Sequence, residues 1–210
     1  MQFDTALAEL PLIAILRGMG PDEADDIGAL LLEAGFTMVE ATMTSPQPLT
    51  GIGRLADKLG DKMLVGAGTV LSAEHVRAAA DAGARLIVSP NMNPEVIRET
   101  RRLGLVSVPG VFTPSEAFAA LEAGASALKL FPAEAMSPGA IKAWQAVLPD
   151  GVPLLVTGGI TRGNLSNYLD AGARGAGIGS ALYKPGKSLT DTRDDAASFV
   201  DAYRQAIAAR

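Results

Sequence analysis

The sequence predicts an α/β fold, a (β/α)8 TIM barrel with residues 1–210 as one domain, and three observations carry that expectation. Eight short apolar runs alternate with eight helical patterns along the chain. The apolar runs are nearly continuous instead of alternating with polar residues, as expected for parallel strands covered by helices. An acidic residue followed by Ala-Gly also recurs, as Glu33-Ala34-Gly35, Asp81-Ala82-Gly83, Glu122-Ala123-Gly124 and Asp170-Ala171-Gly172, each time ahead of an apolar run. Glycine there accepts the left-handed turn that ends a helix, and the next run enters the sheet. The copies are 48, 41 and 48 residues apart, so one further strand and helix fits between successive copies. A doubly wound open sheet is the alternative.

Strands are expected near residues 11–17, 36–42, 63–68, 84–89, 105–108, 125–131, 152–157 and 174–179. Helices are expected near 21–34, 47–60, 72–82, 94–103, 114–123, 138–147, 162–171 and 190–208. Start signals support several of them: Gly20-Pro21-Asp22, Ser72-Ala73-Glu74, Asn93-Pro94-Glu95, Thr113-Pro114-Ser115 and Ser137-Pro138-Gly139.

With 210 residues, 48% of them hydrophobic and 20% charged, the chain can bury one sizeable core. A net charge of -5 argues against a general nucleic-acid or anionic-membrane surface, so local groups must hold any phosphate. The chain has no cysteine, which excludes disulfides and thiolate chemistry. The start Met1-Gln2-Phe3-Asp4 lacks the basic and long apolar segments of a secretion signal, so cytoplasmic residence is expected. Runs such as Leu10 to Leu16 are too short to span a membrane as a helix.

A parallel barrel gathers its active site at the C-terminal strand ends. Lys129 interrupts the apolar run Ser126-Ala127-Leu128-Lys129-Leu130-Phe131. Its head either snorkels to a salt bridge or faces a pocket, where desolvation lowers its pKa and frees an amine for attack on carbonyl compounds. Glu40 interrupts Met38-Val39-Glu40-Ala41 in the same way, and period two puts it on the face of Met38 and Thr42. It is either one half of a structural ion pair or a proton shuttle. Arg17, ending the first strand, either caps the surface or offers a guanidinium fork for a carboxylate, disfavouring protonation of a nearby lysine.

Thr157-Gly158-Gly159-Ile160 and Gly177-Ile178-Gly179-Ser180 end the strands near 152–157 and 174–179, neighbours in a closed barrel. Glycines there let backbone N–H groups approach a phosphate, with a following helix start adding its dipole, although glycines also serve tight turns. Gly66-Ala67-Gly68-Thr69 lacks the setting of a dinucleotide-binding loop. His75, the single histidine, lies at a helix start where a surface position is expected, and no metal site has sequence support.

Taken together, Val39-Glu40, Gly66-Ala67-Gly68-Thr69, Ser89-Pro90-Asn91, Pro109-Gly110, Ala127-Leu128-Lys129-Leu130-Phe131-Pro132, Gly158-Gly159 and Gly179-Ser180 form a recognisable pattern. It resembles the bacterial class I 2-keto-3-deoxy-6-phosphogluconate and 2-keto-3-deoxy-6-phosphogalactonate aldolases over nearly the whole chain. The resemblance implies a cofactor-free, homotrimeric barrel that reversibly cleaves a phosphorylated keto acid to pyruvate and glyceraldehyde 3-phosphate. It also implies Lys129 as the Schiff-base lysine and Glu40 as the general acid/base. Arg17, Thr69 and Pro90 would lie around the pyruvyl end and Gly158, Gly159 and Ser180 around the phosphate site, with Phe131, Thr157 and Gly179 as further substrate-binding residues. Thr44 stands where the gluconate type usually has arginine, and Thr44-Ser45-Pro46-Gln47 is similar to the Asn-Ser-Pro-Gln of the galactonate type. The tail Leu182-Tyr183-Lys184-Pro185-Gly186 points the same way, whereas Thr157 resembles the gluconate type. The galactonate type is therefore expected, with dual activity as the alternative. A sugar-phosphate isomerase or epimerase, or a non-catalytic sugar-phosphate sensor, would use the same residues without a covalent bond.

Overall fold

The computed structural model describes residues 1–210. Its strands are β1 (Leu12–Leu16), β2 (Met38–Thr42), β3 (Leu64–Gly68), β4 (Leu86–Val88), β5 (Val106–Val108), β6 (Gly110–Val111), β7 (Leu128–Leu130), β8 (Leu154–Thr157) and β9 (Gly175–Ile178). The helices are α1 (Phe3–Glu9), α2 (Ala24–Ala34), α3 (Pro48–Leu59), α4 (Ala73–Asp81), α5 (Pro94–Arg102), α6 (Pro114–Ala123), α7 (Pro138–Gln145), α8 (Leu165–Asp170) and α9 (Leu189–Ala208).

All strand pairs are parallel, in the order β5-β4-β3-β2-β1-β9-β8-β7-β6. The two outermost segments of that order, β5 and β6, are one strand of the chain broken at Pro109, which has no N–H for the ladder. The chain running into β7 reaches both halves: Ser126 N–H, two residues ahead of β7, donates to the Ser107 carbonyl at 2.8 Å, and Lys129 N–H to the Pro109 carbonyl at 2.9 Å. The sheet thus closes into an eight-position TIM barrel, with β5 and β6 sharing the fifth position, and the open-sheet alternative falls away.

Alternation along the strands divides the core in two. Outward residues such as Leu12, Leu16, Val39, Ala67, Leu128, Leu130 and Val156 join Ile27, Leu31, Ile52, Phe199 and other helix residues in a cluster of 50 buried side chains between barrel and helices. Only 10 residues form the separate interior cluster, including Ile13, Met38, Leu64, Leu86, Val108, Ala127 and Leu155. Most hydrophobic stabilisation therefore lies outside the barrel wall, which leaves the interior free to hold polar groups at one end.

The sequence pattern did not reveal α1. This seven-residue helix buries Ala6 and Leu7 within the interior cluster and so plugs the N-terminal end of the barrel. Thr37, buried at the entry to β2, ties it down by hydrogen bonds to the Ala6 and Leu10 carbonyls, each 3.0 Å. The helix expected over 162–171 also shortens. Asn164 Nδ2 donates to the Gly159 carbonyl and its Oδ1 accepts from Thr161 N–H, both at 2.8 Å, holding 159–164 as a turn. No helix is long and apolar enough to cross a membrane.

Gly175 marks a place where the fold tolerates no side chain, since a Cβ there would stand 1.8 Å from the Pro11 carbonyl oxygen. Gly175→Ala is expected to lower unfolding free energy by about 3 kcal/mol, read as a reduced urea midpoint at unchanged slope.

Candidate active site

Strand register sets the site. Glu40 pairs across the sheet with Ile15 and Gly66, and Lys129 with Gly110 and Leu155, so both side chains point into the C-terminal half of the barrel. There they line a tight cavity of only about 10 Å³ with Ile13, Ile15, Val88, Val108, Leu155, Thr157 and Gly177. Glycine makes the room: a Cβ on Gly68 would lie 2.3 Å from Glu40 Oε1, and one on Gly177 would lie 2.6 Å from Thr157 Oγ1. A wider groove of about 530 Å³ opens at the N-terminal end, along Asp4, Leu7, Pro153 and Arg174, and holds none of the candidate site residues.

Glu40 is 1% and Lys129 6% exposed, yet they form no ion pair within 4.0 Å. Glu40 Oε2 is sealed without a hydrogen-bond partner, and the Lys129 ammonium stands 5.0 Å from the Phe131 ring. Burial pushes the Glu40 carboxyl above the usual carboxylate range, against the pull of Lys129 and Arg17. Burial likewise pushes the Lys129 amine below the usual lysine range, helped by the Arg17 charge and opposed by Glu40. Both groups are driven towards their neutral forms, which suits an amine that attacks a carbonyl beside a carboxyl that gives and takes protons.

Of the remaining predicted residues only Thr157 lines this cavity; the others follow the C-terminal ends of the strands. Arg17 is exposed and has no ion-pair partner in the chain, though its charge reaches both Lys129 and Glu40. Thr69, half-buried after β3, holds φ at +56°, a conformation strained for a β-branched residue. Pro90 follows β4, and its carbonyl lies where Gly110 must have no side chain, 2.3 Å from a Cβ built there. Gly158 and Gly159 adopt φ of +101° and +66°. The N–H groups of Gly158, Gly159, Ile160, Gly179, Ser180 and Ala181 bond to nothing in the chain, and a Cβ on Gly179 would meet nothing within 4 Å.

One expectation needs correcting. A helix dipole behind this amide cluster has little to offer, because α8 is six residues long and α9 starts only at Leu189. What this end of the barrel presents instead is its turn N–H groups, which have no partner in the chain. His75 is half-buried instead of a plain surface residue, with Nδ1 sealed and unpartnered, but it does not line the cavity. No group of three or more His, Asp or Glu gathers as a metal site would.

Sequence reasoning missed Ser45, and it named the stretches holding Gly68 and Gly177 without seeing that these two glycines make room for Glu40 and Thr157. Gly177 stands two residues before Gly179 and Gly68 opposite Thr42, so period two with the strand register would have found both.

The profile of the KDPG and KHG aldolases matches residues 3–196. The chain belongs to this aldolase family. It is 50% identical over 207 residues to the 2-dehydro-3-deoxy-6-phosphogalactonate aldolase of Escherichia coli (strain K12), covering 99% of this chain and 100% of that relative. A solved structure described as native KDPGal matches with a TM-score of 0.93 at 50% identity, over 95% of this chain and 97% of that one. The KDPG aldolase of Legionella pneumophila, solved with pyruvate captured at low pH as a covalent carbinolamine, matches with a TM-score of 0.82 at 26% identity, over 96% of each chain. KDPG and KHG aldolases are carbon–carbon lyases, and the class I mechanism fits the family.

The raised Glu40 pKa has a consequence for stability. Below pH 4.5, the ordinary value, folded and unfolded chains both hold the proton; above it the unfolded chain releases it first, so Glu40 costs stability as pH rises. Glu40→Gln abolishes that titration. Urea midpoints should show the stability of wild type relative to Glu40→Gln falling from pH 4.5 upwards, and a difference that rises instead would contradict the burial argument.

Proposed function

We propose that this chain cleaves 2-dehydro-3-deoxy-6-phosphogalactonate to pyruvate and D-glyceraldehyde 3-phosphate through a Schiff base on Lys129. The observation that carries this reading is a buried amine with no ion-pair partner sharing a tight cavity with a buried carboxyl. The covalent pyruvate carbinolamine of the Legionella pneumophila relative supports it. So does 50% identity to the galactonate-type relative against 26% to that gluconate-type one.

In this reading the Lys129 lone pair attacks C2 of the keto acid, and the protonated Glu40 carboxyl supplies the proton with which water leaves, so that an iminium and the Glu40 carboxylate remain. Glu40, ionised at this stage, takes the C4 hydroxyl proton, directly or through a water. The C3–C4 bond electrons move into the iminium to form an enamine, and C4 leaves as the aldehyde. Glu40 returns the proton to C3, and water hydrolyses the iminium to pyruvate and free amine, the released proton going back to the Glu40 carboxylate. Arg17 holds the substrate carboxylate, with Thr69, Pro90 and Phe131 around the pyruvyl end. Thr157, Gly158, Gly159, Gly179 and Ser180 surround the phosphate, whose oxygens accept from the unpaired turn N–H groups. The same reading makes the protein a cytoplasmic homotrimer. Exposed Phe112 and Phe118, beside and on α6, suit such an assembly, and light scattering tests it.

Incubation with pyruvate and borohydride is expected to add a stable mass at Lys129. An unlabelled Lys129 beside active turnover would instead identify proton transfer without a covalent bond, as in an isomerase. Glu40→Gln is expected to lower kcat by about a hundredfold or more. A coupled assay of both C4 epimers should favour the galactonate form, and equal rates would show dual specificity.

The phosphate assignment has its own test. Gly179→Val places a side chain in the open space beside the free N–H groups. It should raise KM for the phosphorylated substrate about tenfold or more, the worth of one hydrogen bond to a charged group, while pyruvate labelling of Lys129 stays intact.

A further inference from the structure

Arg17 presents a difficulty that the fold must solve. Its side chain is exposed and bonds to nothing in the chain, so only the backbone can set where its guanidinium stands. That backbone turns sharply straight afterwards, with Gly18 at φ +80° packed so closely on Pro185 that a Cβ would lie 2.7 Å from Pro185 Cγ.

Ser45, 7% exposed in the loop after β2, reaches across to this turn. Its Oγ accepts from Gly18 N–H at 2.9 Å and donates to the Leu16 carbonyl at 3.4 Å, so one hydroxyl grips the peptide groups on both sides of Arg17. With the Ser45 proton committed to Leu16, Thr42 Oγ1, 3.0 Å away, donates to Ser45. Thr44 Oγ1, 3.1 Å from Thr42 Oγ1, donates in turn to Thr42. Thr42 is fully buried and stands two residues beyond Glu40 on the same face of β2. The strand that carries Glu40 therefore also fixes, through two hydroxyls, the segment that carries Arg17.

We propose that Ser45, oriented by Thr42, is a positioning residue that holds Arg17 over the cavity to receive the carboxylate of the keto acid. The proposal rests on the aldolase reading above. Arg17 makes the contact and Ser45 touches no substrate, so the loss falls mainly on binding rather than on the chemical step. No other polar side chain bonds to the backbone of residues 16–18.

Steady-state kinetics of Ser45→Ala, Arg17→Ala and the double variant test it. Ser45→Ala should raise KM for the keto acid about tenfold, the value of a hydrogen-bonded contact to a charged group, with kcat changed less than about threefold. Ser45→Thr, which keeps the hydroxyl, should stay near the wild-type KM. In the Arg17→Ala background, Ser45→Ala should add nothing, because its whole effect passes through the guanidinium. An unchanged KM in Ser45→Ala, or two effects that multiply in the double variant, overturns the clamp while labelling of wild-type Lys129 by pyruvate and borohydride leaves the aldolase reading standing. Wild-type protein that resists labelling overturns both. If Ser45→Ala does not fold, Thr42→Val removes the donor to Ser45 at unchanged shape. KM should rise in the same direction, and a wild-type KM there overturns the clamp.

Discussion

The chemistry of this site depends on a contest between desolvation and attraction inside a closed sheet. Even at about 4 Å, two opposite charges gain only about 4 kcal/mol at an effective dielectric near 20, whereas taking each ion out of water costs several kcal/mol. For Glu40 and Lys129 burial is the larger influence on both, so each moves towards neutrality despite the other. A contacting salt bridge with satisfied hydrogen bonds would reverse that balance; the structure forms none, and Glu40 Oε2 is left without a donor. Arg17 tips the pair unevenly. Its positive charge opposes the ammonium form of Lys129 and favours the carboxylate form of Glu40, which helps a free amine to coexist with a carboxylate able to accept a proton.

Holding such a pair carries a stability penalty, and the rest of the barrel shows where that penalty is offset. The interior is a small apolar cluster stoppered by α1, while the large core sits between wall and helices. Polar groups at the C-terminal end are thus confined to a layer whose loss of apolar contacts does not reach the main core. Glycine plays the complementary part. Gly68 and Gly177 remove wall atoms where the Glu40 carboxyl and the Thr157 hydroxyl stand, and Gly175 does the same where β9 meets Pro11.

Much of this was legible in the chain because its signals are local. Glycine caps and apolar runs give the strand and helix order, and a charge inside an apolar strand marks Lys129 and Glu40 without any alignment. What escaped was set by distant partners. α1 is too short to show a period, and it exists as a plug only because the open end of the barrel accepts Ala6 and Leu7. The break at Pro109 is visible as a residue, but that its two halves serve different neighbours follows from closure alone. The shortening of α8 follows from Asn164 bonding back to residues 159 and 161, a tertiary use of a residue that could equally have opened the helix. Ser45 reads as an ordinary loop serine until Gly18 is brought to within 2.9 Å of its hydroxyl.

These losses share a physical origin. A strand supplies its own period, so whatever faces the cavity from β2, β7 and β8 can be counted along the sequence. Loop residues at the mouth have no such ruler: their places depend on which loops the barrel makes adjacent. The loop after β1 touches both the loop after β2, through Ser45 and Gly18, and the segment after β9, through Pro185 against Gly18 and the Tyr183 hydroxyl donating to Glu23 at 3.0 Å. β1 lies between β2 and β9 in the sheet, so its loop is bounded on both sides by the loops of its neighbours. The residue with the least support from its own side chain, Arg17, sits on that doubly bounded loop. Barrel closure therefore buries Glu40 and Lys129 and also holds in place the cation whose charge reaches both.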